Sequence, residues 1–140
     1  MRWYQQNFRP SMLGDEPKSI VAVFAICAET EQEADAAASS LDLSLLLLEK
    51  GRGMNQQGFP SVGKAARYPY TDYDRHRIEA NRTRMIVGTP EQVKTQMLDM
   101  SERYNASEMM VVTLIHDFGT KLKSYRLLAE AFELGGSHAE

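Results

Sequence analysis

The chain has 140 residues, enough for one domain and too few for two domains of ordinary size. Its hydrophobic fraction of 43% and charged fraction of 25% are ordinary for a globular protein, and the net charge of -3 argues against a nucleic-acid-binding surface. The single cysteine, Cys27, excludes an intrachain disulfide and a cysteine-based metal cluster, and it fits a reducing compartment.

The amino-terminal segment indicates neither a secretory signal nor a membrane anchor. The first residues lack the apolar core of a signal peptide. The longest apolar run, residues 20–28, is about half as long as a membrane-spanning helix. We therefore expect a cytoplasmic protein without a membrane partner. Pro10, Gly14 and Pro17 prevent a long helix in residues 1–17, which we interpret as a lead-in.

The first predicted strand and helix occupy residues 19–50. Residues 19–28, SIVAVFAICA, form an apolar run without polar alternation, which is typical of a parallel strand covered on both faces. Thr30 takes the N-cap position and Glu33 the matching capping-box position. The Ala- and Leu-rich sequence that follows predicts a helix to about Lys50.

Residues 51–81 are predicted to be an irregular insertion. Gly51, Gly53, Gly58, Pro60 and Gly63 break all periodicity, and loops of this length in a compact domain are usually functional or disordered. The tyrosines between 68 and 73 argue against pure disorder. Within the insertion, residues 71–81 are compatible with a short helix.

A sharply defined helix begins after a short extended segment at residues 84–87. Thr89 is its predicted N-cap, Pro90 fits the first helical position, and Gln92 completes a capping box. Asn105 is the predicted end of this helix.

The second apolar run, residues 109–115, predicts a strand that is central in its layer and covered on both faces. Asp117 can then cap a last helix that extends from residue 119 to about residue 134 and is stopped by Gly135 and Gly136. Strands that alternate with helices predict a parallel sheet with right-handed crossovers. Only two segments are convincing strands, and a two-stranded sheet is marginally stable and has unpaired edges.

Four segments together resemble the C-terminal part of bacterial luciferase-like, flavin-dependent monooxygenases, of the alkanal monooxygenase type. They are IVAVFAICAETEQEADAAA, YPYTDYDRHRIEANRTRMIVGTPEQVKTQMLDM, SEMMVVTLIHDF and LKSYRLLAEAF. The resemblance implies an α/β fold that is part of a (β/α)8 TIM barrel, with residues 1–140 as a single domain holding the last two strand/helix units with parallel strands. The other six strands of the barrel are then outside this chain.

The resemblance also implies a function, which is that of an oxidoreductase using reduced flavin mononucleotide (FMN) and dioxygen. In that family most of the flavin pocket belongs to strands that precede this region, so we expect the chain alone to be a truncated relative that binds FMN poorly and is inactive. The alternative is a non-catalytic assembly module that forms a homo-oligomer or complements an N-terminal partner chain. No catalytic residue is assigned under either hypothesis.

Thr113, His116 and Asp117 stand where the last predicted strand ends, and active sites of barrels lie at the carboxyl ends of strands. One interpretation is that these residues form a wall of the flavin pocket, with His116 as a hydrogen-bond donor. The other, which we favour, is that Asp117 caps the last helix and His116 is an exposed loop residue.

The remaining candidate site residues are supported by weaker sequence signals. Arg52, with Lys64 and Arg67, could hold a phosphate, but no strand precedes the glycines there, and a solvated loop is the favoured interpretation. His76 and His138 lack the spacing of zinc ligands, so no metal site is predicted. Cys27 lies in an apolar strand and is predicted to be a core residue.

Overall fold

A computed structural model describes residues 2–12, 14–52 and 58–134. Gly53 and His138, and the predicted helix stop at Gly135 and Gly136, lie outside these residues. In the part of the chain that is described, the elements are α1 (Arg2–Asn7), β1 (Ile20–Cys27), α2 (Glu31–Glu49), α3 (Val62–Arg67), α4 (Asp72–Arg82), β2 (Met85–Gly88), α5 (Pro90–Tyr104), β3 (Glu108–Val112) and α6 (Phe118–Ala131).

The helix boundaries follow local capping signals. Thr30 Oγ1 accepts a hydrogen bond from the Glu33 amide at 3.2 Å, and α2 begins there as predicted. The Thr89 amide donates to Gln92 Oε1 at 3.0 Å, which confirms the capping box of α5. Asn105 ends α5 with a left-handed φ of 46°, a conformation that Asn tolerates better than most residues.

The sheet is wholly parallel and has the strand order β2-β1-β3. Residues 24–27 of β1 lie opposite residues 85–88 of β2, whereas residues 20–24 lie opposite residues 108–112 of β3. The register is therefore staggered, because β2 pairs with the carboxyl half of β1 and β3 pairs with its amino half. This is an α/β fold with parallel strands, as predicted.

Two strand predictions are wrong. The sheet has a third strand, β2, whose four residues are too few to give a recognisable period. The central strand is β1, and β3 is an edge strand that ends at Val112 rather than Ile115. Met110 is 54% exposed on β3. The apolar run correctly signals a surface suited to burial, but the described residues do not cover it.

Helices cover the sheet on both faces. On one face, Val23, Ala25 and Cys27 of β1 pack against Val93 and Met97 of α5, together with Leu128 of α6. On the other face, Ile26 of β1 packs against Ala37, Ala38 and Leu41 of α2. The two crossovers run in opposite directions over opposite faces and so have the same hand, as handedness rules require.

The insertion at residues 51–81 is less irregular than predicted, because it contains α3 and α4. Ser61 caps α3 by accepting from the Lys64 amide at 3.1 Å, a signal that the surrounding glycines obscured. The short helix predicted at residues 71–81 is confirmed as α4, with a capping box between Thr71 and Asp74. The lead-in segment contains the short helix α1, and Gln5 Nε2 donates to the Asn105 carbonyl at 3.0 Å.

Candidate functional site

The carboxyl ends of β1 and β3 form the candidate site. From β1 the chain continues to α2 on one face of the sheet, and from β3 it continues to α6 on the opposite face. The two loops, residues 28–30 and 113–117, therefore diverge. In open α/β sheets, ligands bind at such a switch point, outside the carboxyl ends of the strands. All three site residues predicted from the sequence belong to the second loop.

Thr113 is fully buried beside the end of β3. Its Oγ1 donates to the Ala25 carbonyl at 2.7 Å, and its amide donates to Tyr125 Oη at 3.2 Å. Thr113 thus fastens the continuation of β3 to β1. Its hydroxyl faces the protein interior and is already hydrogen-bonded.

Asp117 and His116 are both exposed in the loop between β3 and α6. Asp117 Oδ2 accepts from the Thr120 amide at 2.6 Å and from Thr120 Oγ1 at 2.7 Å, so Asp117 is the N-cap of α6. The hydrogen bond from the Thr120 hydroxyl is the largest cause that lowers the pKa of this carboxyl, and the charge of His116 lowers it further. This geometry matches the capping interpretation of Asp117.

Two residues at this site, Lys123 and Ser124, were not identified from the sequence. Lys123 Nζ lies 3.1 Å from Glu29 Oε2 and forms an exposed ion pair between α6 and the loop after β1. Ser124 is fully buried, and its Oγ accepts from the Cys27 amide at 2.9 Å. The sequence did offer a signal for Ser124. A serine on the buried side of a helix that follows a strand needs a hydrogen-bond partner.

Cys27 is buried at the end of β1, where it belongs to the apolar core. Burial raises the pKa of its thiol to about 11. A thiol that remains protonated near neutral pH is a poor nucleophile. The prediction of a core residue therefore agrees with the environment of Cys27.

The basic residues of the insertion do not form a phosphate-binding turn. Arg52, Lys64 and Arg67 are exposed and lie on or beside α3, a helix of six residues. Phosphate-binding loops of the known kinds join a strand to a helix, whereas the element before α3 among the described residues is the helix α2.

Neither a metal centre nor a membrane span is found in the part of the chain that the structure covers. Among those residues, no three His, Cys, Asp or Glu side chains are placed to hold a metal ion. Likewise, none of the described helices combines the length and the apolar character that crossing a bilayer requires.

The three predicted site residues do not by themselves fit the phosphate end of FMN. The hydroxyl of Thr113 is buried, and the carboxylate of Asp117 carries a negative charge that would repel a phosphate. Only the imidazole of His116, among these three, is an exposed donor. A flavin site at these strand ends would need cationic or amide donors from other residues.

Comparisons with known proteins give relatives for nearly the whole chain. No family model matches. The Bacillus subtilis protein YwcH is 48% identical over 132 residues, and YceB of the same organism is 42% identical over 131 residues. Both are uncharacterized, and each match covers 94% of this chain and 39% of the relative. The chain therefore spans about two fifths of the length of these relatives.

A solved structure, that of apo-MsnO8, has the same fold over the matching region. The TM-score is 0.82 at 31% sequence identity, and the match covers 97% of this chain and 41% of the MsnO8 chain. The arrangement of strands and helices described above thus occurs as part of a larger protein.

Proposed function

We propose that this chain is the carboxyl-terminal part of a luciferase-like monooxygenase, an oxidoreductase that uses reduced FMN and dioxygen. The observation that carries the proposal is the likeness to apo-MsnO8 along 97% of the chain, together with the four sequence segments that resemble the luciferase-like class. The relatives are about two and a half times as long, which supports the same interpretation.

The staggered register supports a place for this sheet in a (β/α)8 barrel. In the proposed arrangement, β1 and β3 are adjacent barrel strands, and α5 and α6 form part of the outer ring of helices. Because β2 pairs only with residues 24–27, the same edge of β1 is without a described partner at residues 20–23. A preceding barrel strand could pair there.

The exposed apolar side chains agree with this arrangement. Ile20 is 53% exposed, and Ile20, Ala22 and Met110 lie on the face of the sheet opposite α5 and α6, beyond the part of that face that α2 covers at Ile26. The described residues leave this part of the face uncovered, and in the proposed longer protein it would pack against residues outside this chain.

The role of FMN follows from the same arrangement. When bound, reduced FMN supplies the electrons that activate dioxygen. Thr113 and Asp117 do not fit its phosphate, so we assign them no step of the reaction. Residues 1–140 alone are proposed to be inactive, and the flavin-binding groups are proposed to lie outside the matching two fifths of the relatives.

Co-expression tests this proposal directly. Residues 1–140 are produced alone and together with the part of YwcH that lies outside the matching 39%. We expect a one-to-one complex that binds FMN, measured by quenching of flavin fluorescence, and no FMN binding by residues 1–140 alone. Stoichiometric FMN on the chain alone, or a well-formed complex that does not bind FMN, would contradict the proposal.

A second candidate function is self-assembly, favoured by the exposed apolar residues at the amino end of β1 and on β3. In this case Ile20 and Met110 of two copies would cover each other. Sedimentation velocity over a range of concentrations would then show a dimer that Met110→Glu dissociates. A folded monomer at every concentration would exclude this candidate, whereas the monooxygenase proposal would be unaffected.

A further inference from the structure

Helix α4 packs against α2 through polar groups rather than through an apolar face. Its only buried residues are Asp74 and Asn81. By comparison, α5 buries Val93 and Met97 against the sheet. A helix whose fully buried residues are all polar depends largely on its charged and hydrogen-bonded contacts to remain in place.

The first contacts join the beginning and middle of α4 to the end of α2. Lys50 Nζ lies 2.7 Å from Asp74 Oδ1. Arg77 forms a two-pronged ion pair with Glu49, with Nε to Oε2 at 3.0 Å and Nη2 to Oε1 at 3.1 Å. Asn81 Nδ2 donates to the same Glu49 Oε1 at 2.9 Å.

The last contact joins the end of α4 to the middle of α2. Arg82 Nε lies 2.8 Å from Asp42 Oδ1, and Arg82 Nη2 lies 2.7 Å from Asp42 Oδ2. Arg82 Nη2 also lies 2.9 Å from Asp35 Oδ1. Asp42 is only 5% exposed, and burial is the largest influence on the pKa of its carboxyl, which it raises. Three charged residues of α2 and its C-cap residue Lys50 thus contact three charged residues of α4.

Ionic docking of this kind is weaker than its hydrogen bonds suggest. The side chains of Lys50, Glu49 and Arg77 are about one third exposed, so water and salt screen their attraction. Burying Asp42 beside Arg82 costs desolvation that offsets much of the attraction. When α4 leaves α2, all of these groups regain water. Separation therefore costs less than the removal of a helix that buries apolar surface.

Asn81 also forms part of a recess beside α2, on the face of the sheet that α2 covers in part. The recess has a volume of about 330 Å³, and Arg84 lines it beside Asn81. Ala22, Phe24, Leu45 and Met85 contribute its apolar surface. Arg84 Nη2 donates to Asn81 Oδ1, so the end of α4 and the turn before β2 form one polar wall. Movement of α4 would take Asn81 away from that wall.

We propose that α4 undocks from α2 as a unit, before the rest of the fold opens, and that ionic strength sets how often it does so. Undocking widens the 330 Å³ recess on the sheet and exposes its apolar lining. The fold thus contains a conformational device in which charge, rather than apolar contact, holds one helix. This inference does not depend on the proposed monooxygenase function.

Amide hydrogen exchange measured by mass spectrometry tests the proposal. When NaCl is raised from about 0.05 M to about 0.5 M, we expect exchange in α4 to accelerate about threefold or more, and exchange in α5 to remain unchanged. Equal protection of α4 and α5, or an α4 that ignores salt, would overturn the proposal.

A matched pair of variants separates docking from general charge effects. Asp42→Leu with Arg82→Met replaces the buried ion pair by apolar groups, and the salt response of α4 should fall by about half or more because that contact is no longer ionic. The control, Asp99→Asn with Arg103→Gln, removes an exposed ion pair on α5 and should leave the salt response of α4 unchanged. Should the first variant fail to fold, Glu49→Gln with Arg77→Gln removes a more exposed pair. In either docking variant, an unaltered salt response would overturn the proposal.

Discussion

Helices α5 and α4 are attached to the rest of the fold by opposite kinds of contact. α5 covers the sheet with Val93 and Met97, which are almost completely buried. α4 meets α2 through three sets of ion pairs and buries no apolar residue. Apolar contact gains free energy when water is excluded, whereas an ion pair loses much of its gain to desolvation. We therefore expect mutations around α5 and α6 to lower the global free energy of unfolding, and mutations around α4 to lower mainly the local protection of α4.

The largest expected effect is in the apolar region. Leu128→Ala removes a buried side chain where α6 meets the sheet, and we expect the global free energy of unfolding to fall by about 2 to 5 kcal/mol. Leu122→Ala on the same helix is the control, because Leu122 is half exposed and should cost well under that amount. Chemical denaturation measures both. Equal losses in the two variants would mean that α6 is oriented differently.

A smaller global effect is expected for the buried hydrogen bond of α6. Ser124→Ala leaves the amide of Cys27 without its partner in the interior, which should cost about 1 to 3 kcal/mol. Ser39→Ala is the matched control, because Ser39 is half-buried on α2 and its hydroxyl donates to the Ala36 carbonyl of the same helix; it should change stability by about 0.5 kcal/mol or less. A neutral Ser124→Ala would indicate that water replaces the hydroxyl.

The variant Arg82→Met distinguishes an α4 that stays docked from an α4 that leaves, because the two predict losses of different size in the global free energy of unfolding. If α4 remained docked, Asp42 would be left as a buried and unpaired charge, at a cost of about 3 to 5 kcal/mol. Because α4 can leave and allow Asp42 to regain water, we expect a global loss of about 1 kcal/mol or less. Hydrogen exchange of α4 should accelerate in the same variant. A large global loss with α4 still protected would show that α4 cannot move separately.

Acidification is expected to have the smallest effect, confined to α4. Lys50 beside Asp74, and Arg77 beside Glu49, lower the pKa values of these carboxyls. Their contribution to docking is present above the unfolded pKa values, near pH 4, and is lost as pH falls through the lower folded values. Asp42 acts in the opposite sense, because burial raises its pKa and favours its protonation in the folded state.

The lowered pKa values of Asp74 and Glu49 predict that their contribution to α4 protection is lost below about pH 4. Protection factors of α4 and α5, each corrected for intrinsic exchange, measure this loss. The variant Asp74→Asn should reduce the pH response of α4. If the protection of α5 fell equally with pH, the loss would belong to the whole fold rather than to α4.

The sequence predicted those features whose cause is local. The capping boxes at Thr71 and Thr89 and the end of α5 at Asn105 each depend on residues within one turn of a helix. The central position of β3 was predicted wrongly, because an apolar run indicates that a surface should be covered and does not indicate by which residues. The coarse fold class, an α/β fold with parallel strands, needed only the alternation of strands and helices.

The contacts of the candidate site and of α4 could not be predicted in the same way. Asp42 and Arg82 are 40 positions apart, and Thr113 and Ala25 are 88 positions apart. Each of these residues has many potential partners in the sequence, and only the folded chain selects one. The position of Thr113, His116 and Asp117 at a strand end was predictable, whereas the partner of each side chain was not.

Ser124 and Tyr125 are neighbours on α6, yet they bond to two different strand ends, at Cys27 and at Thr113. Successive residues on a helix differ by about 100° in direction, so the pair fixes both the rotation and the axial position of α6. A deletion or insertion of one residue in the loop at 113–117 would misalign both hydrogen bonds at once. The length of that loop should consequently tolerate less variation than its composition, a constraint that a designer who grafts this loop onto another scaffold would have to respect.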